Sequence, residues 1–156
     1  MNDLAPRLVR RVLLVWAIDV VALAAIAGVL PAFEIVDSRV ADWRIKLVDT
    51  VADNASCGAI AVGTTPLPVS VEDLTNVECT LRINGEARES GTGEAVMADP
   101  VAPLAWLANV LGEQGVALEP GQLVLPGSFT KALPVVAGES ATADFGDLGS
   151  LTINFI

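Results

Sequence analysis

One acidic residue stands inside an otherwise apolar segment of this 156-residue chain. Glu34 lies between a phenylalanine and an isoleucine in residues 32–37, which the sequence predicts to form a short strand. A carboxylate that is desolvated there requires a cationic partner or a metal ion, because an unpaired buried charge is very unfavourable. The residues alone leave three interpretations open: a metal-binding or catalytic carboxylate, an ion pair with Arg39 or Arg44, or an edge position facing water.

The next seventeen positions contain seven charged residues, which are Asp37, Arg39, Asp42, Arg44, Lys46, Asp49 and Asp53. Charge at this density indicates either the polar mouth of a site or a solvated, ion-paired loop, and the second is the more common outcome. Asn54 and Ser56 add neutral hydrogen-bonding groups, which by themselves usually mark the end of a helix.

A loop of small residues, Gly-Ser-Phe-Thr at positions 127–130, follows a predicted strand. Its backbone N–H groups and two hydroxyls are suited to holding a carboxylate or an oxyanion. Gly-Ser turns are common, so this pattern is a weak indication in isolation. A second glycine pair at 91–93 is weaker still, because no lysine follows it as a phosphate-binding loop requires.

The sequence contains no histidine and no tyrosine. This excludes Ser-His-Asp and Cys-His catalytic arrangements and histidine-ligated zinc sites within the sequence. Acid–base chemistry therefore depends on Asp, Glu, Lys, hydroxyl groups, water or a metal. The two cysteines, Cys57 and Cys79, do not form a disulfide framework, and we predict reduced, buried thiols in a cytosolic protein.

Composition and charge narrow the class of protein. Hydrophobic residues make up 53% and charged residues 18% of the chain, which is typical of a folded domain rather than a disordered segment. The formal net charge of −10 is repelled by nucleic-acid phosphates and by anionic lipid. We therefore predict neither a nucleic-acid partner nor a membrane partner.

The N-terminal segment is ambiguous. Three arginines within the first eleven residues precede an apolar run, residues 12–30, in which Asp19 is the one charged residue. This layout is typical of a signal peptide, and about 20 apolar residues also suffice for a membrane span. Asp19 at mid-membrane costs about 3 kcal/mol, so we favour a buried amphipathic helix over residues 18–27. A cleaved signal or anchor and an aberrant start of the reading frame stay open as alternatives.

The rest of the chain alternates short apolar segments with turns. We predict a helix over 100–115 capped by Asp99, a short helix over 46–56, and a hairpin at Asn84-Gly85. A turn is expected at 120–121, and the predicted strands lie at 58–62, 78–83, 122–125, 133–136, 141–145 and 150–155. This pattern predicts an α+β fold with a β-rich, mixed or antiparallel core and one or two packed helices.

Three stretches together resemble a known family: residues 31–58, which contain Glu-Ile-Val-Asp-Ser-Arg and Asp-Asn-Ala-Ser, residues 99–130, and residues 145–155. They are similar to the hydratase/decarboxylase family of the fumarylacetoacetate-hydrolase-like superfamily, and in particular to its 2-keto-4-pentenoate (2-hydroxypenta-2,4-dienoate) hydratases. The likeness implies a fumarylacetoacetase C-terminal-like β-roll. We assign residues 19–156 to a partial domain of this type and leave 1–18 as an unmatched segment.

The resemblance implies a reaction in the meta-cleavage catabolism of aromatic compounds. Family members bind Mg²⁺ or Mn²⁺ through three glutamates, two of which form a Glu-x-Glu pair upstream of the third. The metal chelates the 2-oxo or enol oxygen and the carboxylate of the 2-oxo acid substrate. The dienol ketonises, and water adds at C4 to give 4-hydroxy-2-oxopentanoate.

Residue roles follow by the same resemblance. Glu34 matches the third metal-binding glutamate. Ser56 and Ser128 are the catalytic candidates, and Ser56, Gly127, Ser128 and Thr130 are the candidates to bind substrate and orient its carboxylate. The family also implies a homo-oligomer in the cytoplasm that acts on a small molecule.

The sequence departs from the family pattern at its beginning. Family members are longer there, and the additional part carries the Glu-x-Glu pair and a lysine that acts in proton transfer. The acids before Glu34 in this sequence are Asp3 and Asp19, so the pair is absent. Asp99 also stands where His or Asn is common. We therefore expect a truncated member whose activity alone is impaired.

Alternatives stay open at this point. A 4-oxalocrotonate decarboxylase of the same family uses the same chelation for loss of CO₂, and related hydratases act on dicarboxylate dienes. A non-catalytic, oligomerising structural protein belongs to a different class. An exported acidic β-protein that is cleaved near residue 27 is the least favoured.

Overall fold

The structure is a computed structural model that describes residues 13–22, 28–119 and 121–156. Its strands are β1 Leu13–Ala22, β2 Gly28–Val36, β3 Cys57–Val62, β4 Glu78–Ile83, β5 Glu86–Thr92, β6 Leu133–Val135, β7 Ser140–Asp144 and β8 Ser150–Asn154. Its α-helices are α1 Leu47–Ala52 and α2 Val101–Glu113. Short 3-10 turns cover Ala41–Trp43, Asn54–Ser56, Val71–Asn76, Gly93–Ala95 and Gly146–Leu148.

The strands form two four-stranded sheets. The first sheet has the strand order β3-β2-β1-β6 and the second has the order β5-β4-β7-β8. Every strand pair described in them is antiparallel. This confirms the predicted α+β class with a β-rich antiparallel core and a few helices.

The core lies where β2 of the first sheet contacts β7 and β8 of the second. Alternate side chains of a strand point to opposite faces, so one face of each sheet can be apolar. Phe33 of β2, Leu81 of β4 and Ala143 of β7 are each fully buried in one continuous hydrophobic cluster. This packing fixes which face of β2 is turned to the core.

The predicted helix over residues 18–27 is wrong for residues 18–22. These residues belong to β1, which pairs with β2 from Leu14 opposite Val36 to Ala22 opposite Gly28. A continuous apolar run does not distinguish a buried strand from a buried helix by periodicity, and the β-branched residues of this run favour the strand. Residues 23–27 and the basic start lie outside the described residues. None of the helices in the described ranges has the length and apolar character to cross a membrane.

Most of the remaining predicted elements are confirmed, with shifts at their ends. Asn84 and Gly85 adopt φ angles of 52° and 82° and join β4 to β5 as a hairpin. Asp99 Oδ1 accepts a hydrogen bond of 2.9 Å from the backbone N–H of Val101 at the start of α2. The helix predicted over 46–56 ends at Ala52, and a 3-10 turn follows it.

The strand predicted over residues 122–125 is wrong, because within this stretch only Val124 makes a bridge. Gln122 instead closes a turn, in which its side-chain oxygen accepts a hydrogen bond from the N–H of Glu119 at 2.8 Å. Pro120, part of the predicted turn, lies outside the described residues.

The glycines at 91 and 93 have a packing role. A Cβ atom at Gly91 would lie 1.9 Å from the carbonyl oxygen of Phe129, and one at Gly93 would lie 1.9 Å from that of Leu74. The end of β5 thus touches the backbone of the 127–130 loop directly. Only glycine permits this approach, because any side chain would overlap the carbonyl.

This contact predicts opposite effects for two glycine substitutions. Gly91→Ala should lower the free energy of unfolding by about 1–3 kcal/mol, because backbone must shift to admit the methyl group. Gly112→Ala is the matched control: the position is helical with open space around it, so a gain of about 0.5–1 kcal/mol is expected. Urea unfolding of both variants measures the difference, and equal effects at the two sites would contradict the close approach.

Candidate functional site

Glu34 lies on the face of the first sheet that is turned away from the core. Its neighbour Phe33 points into the core, so the alternation of β2 places Glu34 on the opposite face. Ala32 and Val36 on that same face are buried, whereas Glu34 is half-buried. The carboxylate is therefore partly desolvated among apolar neighbours, as its place in the sequence predicts.

The thiol of Cys57 is the neighbour that the structure gives to Glu34. Cys57 opposes Val36 across the β2–β3 pair, and its thiol donates a hydrogen bond to the carbonyl oxygen of Ala59 at 3.9 Å. Burial raises the pKa of the Cys57 thiol, and the nearby Glu34 carboxylate raises it further, while Arg39 opposes the shift. Both cysteines are free as predicted, but Cys57 is only half-buried, so its predicted burial was wrong.

The two arginines that the sequence offered to Glu34 bind elsewhere. Arg39 Nε forms an ion pair with Asp53 Oδ1, and Arg44 approaches Asp42 at 3.6 Å. Among the described residues, Glu34 has no ion pair within 4 Å. The ion-pair interpretation of Glu34 is therefore not supported by these residues.

Arg39 and Asp53 join the end of β2 to the turn before β3. The Arg39 guanidinium also donates to the carbonyl oxygens of Asp37, Asp53 and Cys57. Asp53 Oδ2 accepts from the backbone N–H of Arg39 at 3.1 Å and from the hydroxyls of Ser38 and Ser56 at 3.3 and 3.2 Å. The Asp53 carboxylate thus accepts hydrogen bonds from Ser38, Arg39 and Ser56.

The turn that carries Ser56 has an unusual backbone. Asn54, Ala55 and Ser56 have φ angles of 51°, 53° and 60°, in the left-handed region that residues other than glycine rarely adopt. The side chain of Ser56 is almost fully buried, and its carbonyl accepts the N–H of Asp37 at 2.9 Å. Such backbone strain persists where the surroundings hold it and is concentrated at functional sites.

Electrostatics at Asp53 follow from these contacts. Burial raises the pKa of the Asp53 carboxyl, but hydrogen bonds from the backbone and side chain of Arg39 and from Ser56, with the charge of Arg39, outweigh it. The pKa of Asp53 therefore lies below its usual value, and the carboxylate is ionised at neutral pH.

The 127–130 loop forms a second group of polar residues. Ser128 Oγ donates to the carbonyl of Thr130 at 2.8 Å and accepts from its N–H at 3.3 Å. Gly127 has a φ of 154° and packs where a Cβ would lie 2.8 Å from Val96 Cγ1. Thr130 Oγ1 is buried and has no hydrogen-bond partner in the described residues. Since buried polar groups normally have partners, this hydroxyl indicates a position that a ligand or a water satisfies.

Glu34 lies on β2 of the first sheet, whereas the 127–130 loop precedes β6 of that sheet and touches β5 of the second. The 127–130 loop leads into β6, and β1 separates β6 from β2. Strands are spaced by about 4.8 Å, so the loop's strand lies about 10 Å from Glu34's strand. Ser56 precedes Cys57 in the chain, and its hydroxyl is turned to Asp53.

Glu34 is the sequence-predicted metal ligand, and its surroundings decide whether a metal ion could be held there. Within the described ranges, no group of three or more His, Cys, Asp or Glu side chains is placed to hold one. Mg²⁺ is commonly bound by one or two carboxylates together with substrate oxygens and waters. The described residues therefore fit only part of such a ligand set, in which Glu34 could be one carboxylate.

Sequence reasoning missed two features of this site. The contact between Cys57 and Glu34 requires the β2–β3 register with its irregularity near Val36, which no local pattern specifies. The partner of Arg39 was also undetermined, because four aspartates compete within the same loop. The dense charge of residues 37–53 was the available signal, and it indicated the ion-paired loop in which these contacts lie.

Comparison with known proteins shows what this chain is similar to. Residues 15–156 match the family model described as fumarylacetoacetate (FAA) hydrolase C-terminal. A 2-hydroxyhexa-2,4-dienoate hydratase of Comamonas testosteroni is 41% identical over 85% of this chain and 50% of its own length. A 2-keto-4-pentenoate hydratase of Paraburkholderia xenovorans is 39% identical over 85% of this chain and 49% of its own length.

A solved structure agrees with these relatives. The 4-oxalocrotonate decarboxylase from Pseudomonas putida G7, complexed with magnesium and adipate, superimposes with a TM-score of 0.84 at 30% identity. The match covers 93% of this chain and 61% of that one. The chain spans about half the length of the curated relatives it matches.

The Asp53 contacts predict how stability depends on pH. A carboxyl whose pKa is lowered by folding stabilises the protein above the pKa of the unfolded chain, about 4, and loses this effect as pH falls through the folded value. Asp53→Asn should therefore lower the thermal midpoint at pH 7 and make it less dependent on pH below about 4 than in the wild type. Asp147→Asn, an exposed position, serves as the control and should follow the wild-type profile.

Proposed function

The chain belongs to the fumarylacetoacetate hydrolase family, and on that premise we propose that it carries part of the site of a divalent-metal-dependent hydratase. The substrate class is a 2-hydroxy-2,4-dienoate. Hydration of 2-hydroxypenta-2,4-dienoate to 4-hydroxy-2-oxopentanoate, in the catabolism of aromatic compounds, is the specific reaction proposed. The observation that supports it most is the half-buried Glu34 carboxylate, because Arg39 and Arg44 form their ion pairs with aspartates instead.

In this proposal Glu34 is the metal ligand of the chain, and Mg²⁺ or Mn²⁺ is the ion. When bound, the ion supplies Lewis-acid polarisation of the substrate's 2-oxo group. The other ligands are proposed to come from outside the described residues, since these offer one carboxylate at this place. The similar decarboxylase was solved in complex with magnesium and adipate, which is a dicarboxylate, and this agrees with the proposed chemistry.

The remaining roles concern the chain's own hydroxyls. Thr130 Oγ1 is a buried hydrogen-bonding group without a protein partner among the described residues, so it is suited to donate to the carboxylate of the substrate. Ser128 and Gly127 shape the turn that presents it. The Ser56 hydroxyl donates a hydrogen bond to Asp53. The lone pairs of its oxygen therefore remain as acceptors that can orient a water molecule.

Assembly and location are part of the same proposal. The domain covers residues 19–156, the protein is cytoplasmic, and it works as a homo-oligomer. Leu47, Val48 and Val51 of α1 expose 79%, 71% and 73% of their surface, which suits burial against another chain. A defined oligomer with neither metal binding nor turnover would favour the non-catalytic structural role instead.

A second candidate function is decarboxylation of 4-oxalocrotonate. The similarity to the decarboxylase structure favours it, because that match covers nearly all of this chain. Incubation with 2-hydroxypenta-2,4-dienoate or with 4-oxalocrotonate, with Mn²⁺ present in both, separates the two. Loss of the dienol ultraviolet absorbance supports the hydratase, and release of CO₂ supports the decarboxylase.

The metal role of Glu34 gives a direct prediction. The 156-residue chain should bind Mn²⁺ weakly, with a Kd of about 10⁻³ M, because few carboxylates contribute. Glu34→Gln should abolish this binding and any turnover, whereas Glu113→Gln, an exposed change at the end of α2, should alter neither. Calorimetric titration with Mn²⁺ and the dienol absorbance assay measure both effects. Unchanged binding in Glu34→Gln would exclude Glu34 as the ligand.

Thr130 predicts a conflict between stability and activity. Thr130→Val keeps the side-chain shape and removes a buried hydroxyl that has no partner among the described residues, so the free energy of unfolding should rise by about 1 kcal/mol. The KM for the dienoate should rise at the same time, because the hydroxyl no longer donates to the substrate. Thr130→Ser keeps the hydroxyl and is the control for KM. A destabilised Thr130→Val variant would instead indicate that a water satisfies this group.

A further inference from the structure

The contacts at the end of β2 extend beyond the candidate ligands. We infer that Arg39 is a positioning residue: its guanidinium, bound to Asp53, holds residues 54–56 in their left-handed conformation and thereby places Ser56 and Cys57 beside Glu34. This inference rests on the proposed function for its catalytic meaning. Its structural part is independent of that function.

The guanidinium contacts the turn from several directions at once. Its Nε binds the Asp53 carboxylate, one terminal nitrogen binds the Asp53 carbonyl, and the other binds the Cys57 carbonyl at 2.9 Å. That last nitrogen also reaches the carbonyl of Asp37 at 3.2 Å, on the β2 side of the site. Arg39 therefore ties the residues on both sides of the strained turn to the end of β2.

The strain of the turn requires such a restraint. Three consecutive residues other than glycine have positive φ angles, and each conformation is disfavoured in the absence of tertiary contacts. The 3-10 turn itself provides two backbone bonds, from the Ser56 N–H to the Asp53 carbonyl at 2.9 Å and from the Cys57 N–H to the Asn54 carbonyl. The Arg39 contacts and the bond from the Asp37 N–H to the Ser56 carbonyl supply the tertiary restraint.

Lysine does not replace arginine in this arrangement. The guanidinium is a planar fork with donors in fixed directions, whereas the ammonium of lysine is a single compact centre. The acceptors of Arg39 lie on different residues, so one ammonium group does not reach all of them. A charge-conserving change at this position should therefore release the turn almost as fully as removal of the side chain.

The position of Cys57 reports whether the turn is held. Cys57 follows the turn directly, its carbonyl oxygen accepts a hydrogen bond from Arg39, and its half-buried thiol binds the carbonyl oxygen of Ala59 on β3. Release of the turn should expose this thiol, while Cys79, buried in the core on β4, stays protected. The two free cysteines thus give a local reporter and an internal control in the same chain.

The experiment measures site-resolved alkylation by iodoacetamide under native conditions. Arg39→Ala and Arg39→Lys should each raise the rate at Cys57 by about tenfold or more, through local opening. Methylguanidinium at millimolar concentration should lower the alkylation rate of Cys57 again in Arg39→Ala, but it should not lower that rate in Arg39→Lys. Arg44→Ala, which removes the exposed arginine of the same loop, is the matched control and should leave the Cys57 rate unchanged.

Each other outcome overturns the inference. An unchanged Cys57 rate in Arg39→Ala means that the turn holds itself. A parallel rise in the alkylation rates of Cys57 and Cys79 means that Arg39 acts on global stability alone. If Arg39→Ala folds poorly, the same comparison of the two rates in Asp53→Asn takes its place. A rate in Arg39→Lys equal to wild type means that charge, rather than the guanidinium fork, is sufficient.

Turnover separates this inference from the proposed function. Where the wild type hydrates the dienoate, Arg39→Ala should lower kcat by about tenfold with a smaller change in KM, and methylguanidinium should restore it. Absence of turnover in the wild type would defeat the proposed function. The alkylation result would still decide whether Arg39 positions the turn.

Discussion

The register of β2 between β1 and β3 is the constraint on which the candidate site depends. Side chains alternate along a strand, so a slip by one residue would exchange the places of Glu34 and Phe33. Phe33 is fully buried in the core, and its burial therefore fixes the face on which Glu34 lies. The hydrophobic core and the candidate metal ligand are set by the same pairing, and neither can change without the other.

The same pairing explains why the site consists of two separate groups. Glu34 and Cys57 belong to neighbouring strands, and β1 lies between them and the loop that leads into β6. Small-molecule sites are commonly apolar pockets in which a few placed polar groups fix the orientation of the ligand. Glu34 and Thr130 Oγ1 are the charged and the neutral polar group that the proposed function assigns to this chain.

Much of the fold was predictable because it depends on local rules. The hairpin follows from Asn84 and Gly85, which both tolerate positive φ angles. The helix α2 follows from the spacing of its apolar residues and from the capping residue Asp99. The strands β7 and β8 follow from the alternation of apolar and polar residues between turns. The first strand was mispredicted, because its apolar run has no period and its partner is identified only by the pairing with β2. At the site, Glu34 was detectable as a charge among apolar residues. The pairing of Arg39 with Asp53 was not, since it depends on a turn that no sequence pattern encodes.

The contact of Gly91 with the 127–130 loop has a consequence for sequence divergence. In most interfaces a change on one side can be absorbed by a complementary change in a neighbouring side chain. Here main-chain atoms of β5 rest against a main-chain carbonyl, so there is no side chain at the point of contact to compensate. Relatives whose sequences diverge widely around this loop should therefore keep the distance between its backbone and β5 constant. Differences in ligand preference would then arise from the side chains that the loop carries rather than from the position of its backbone.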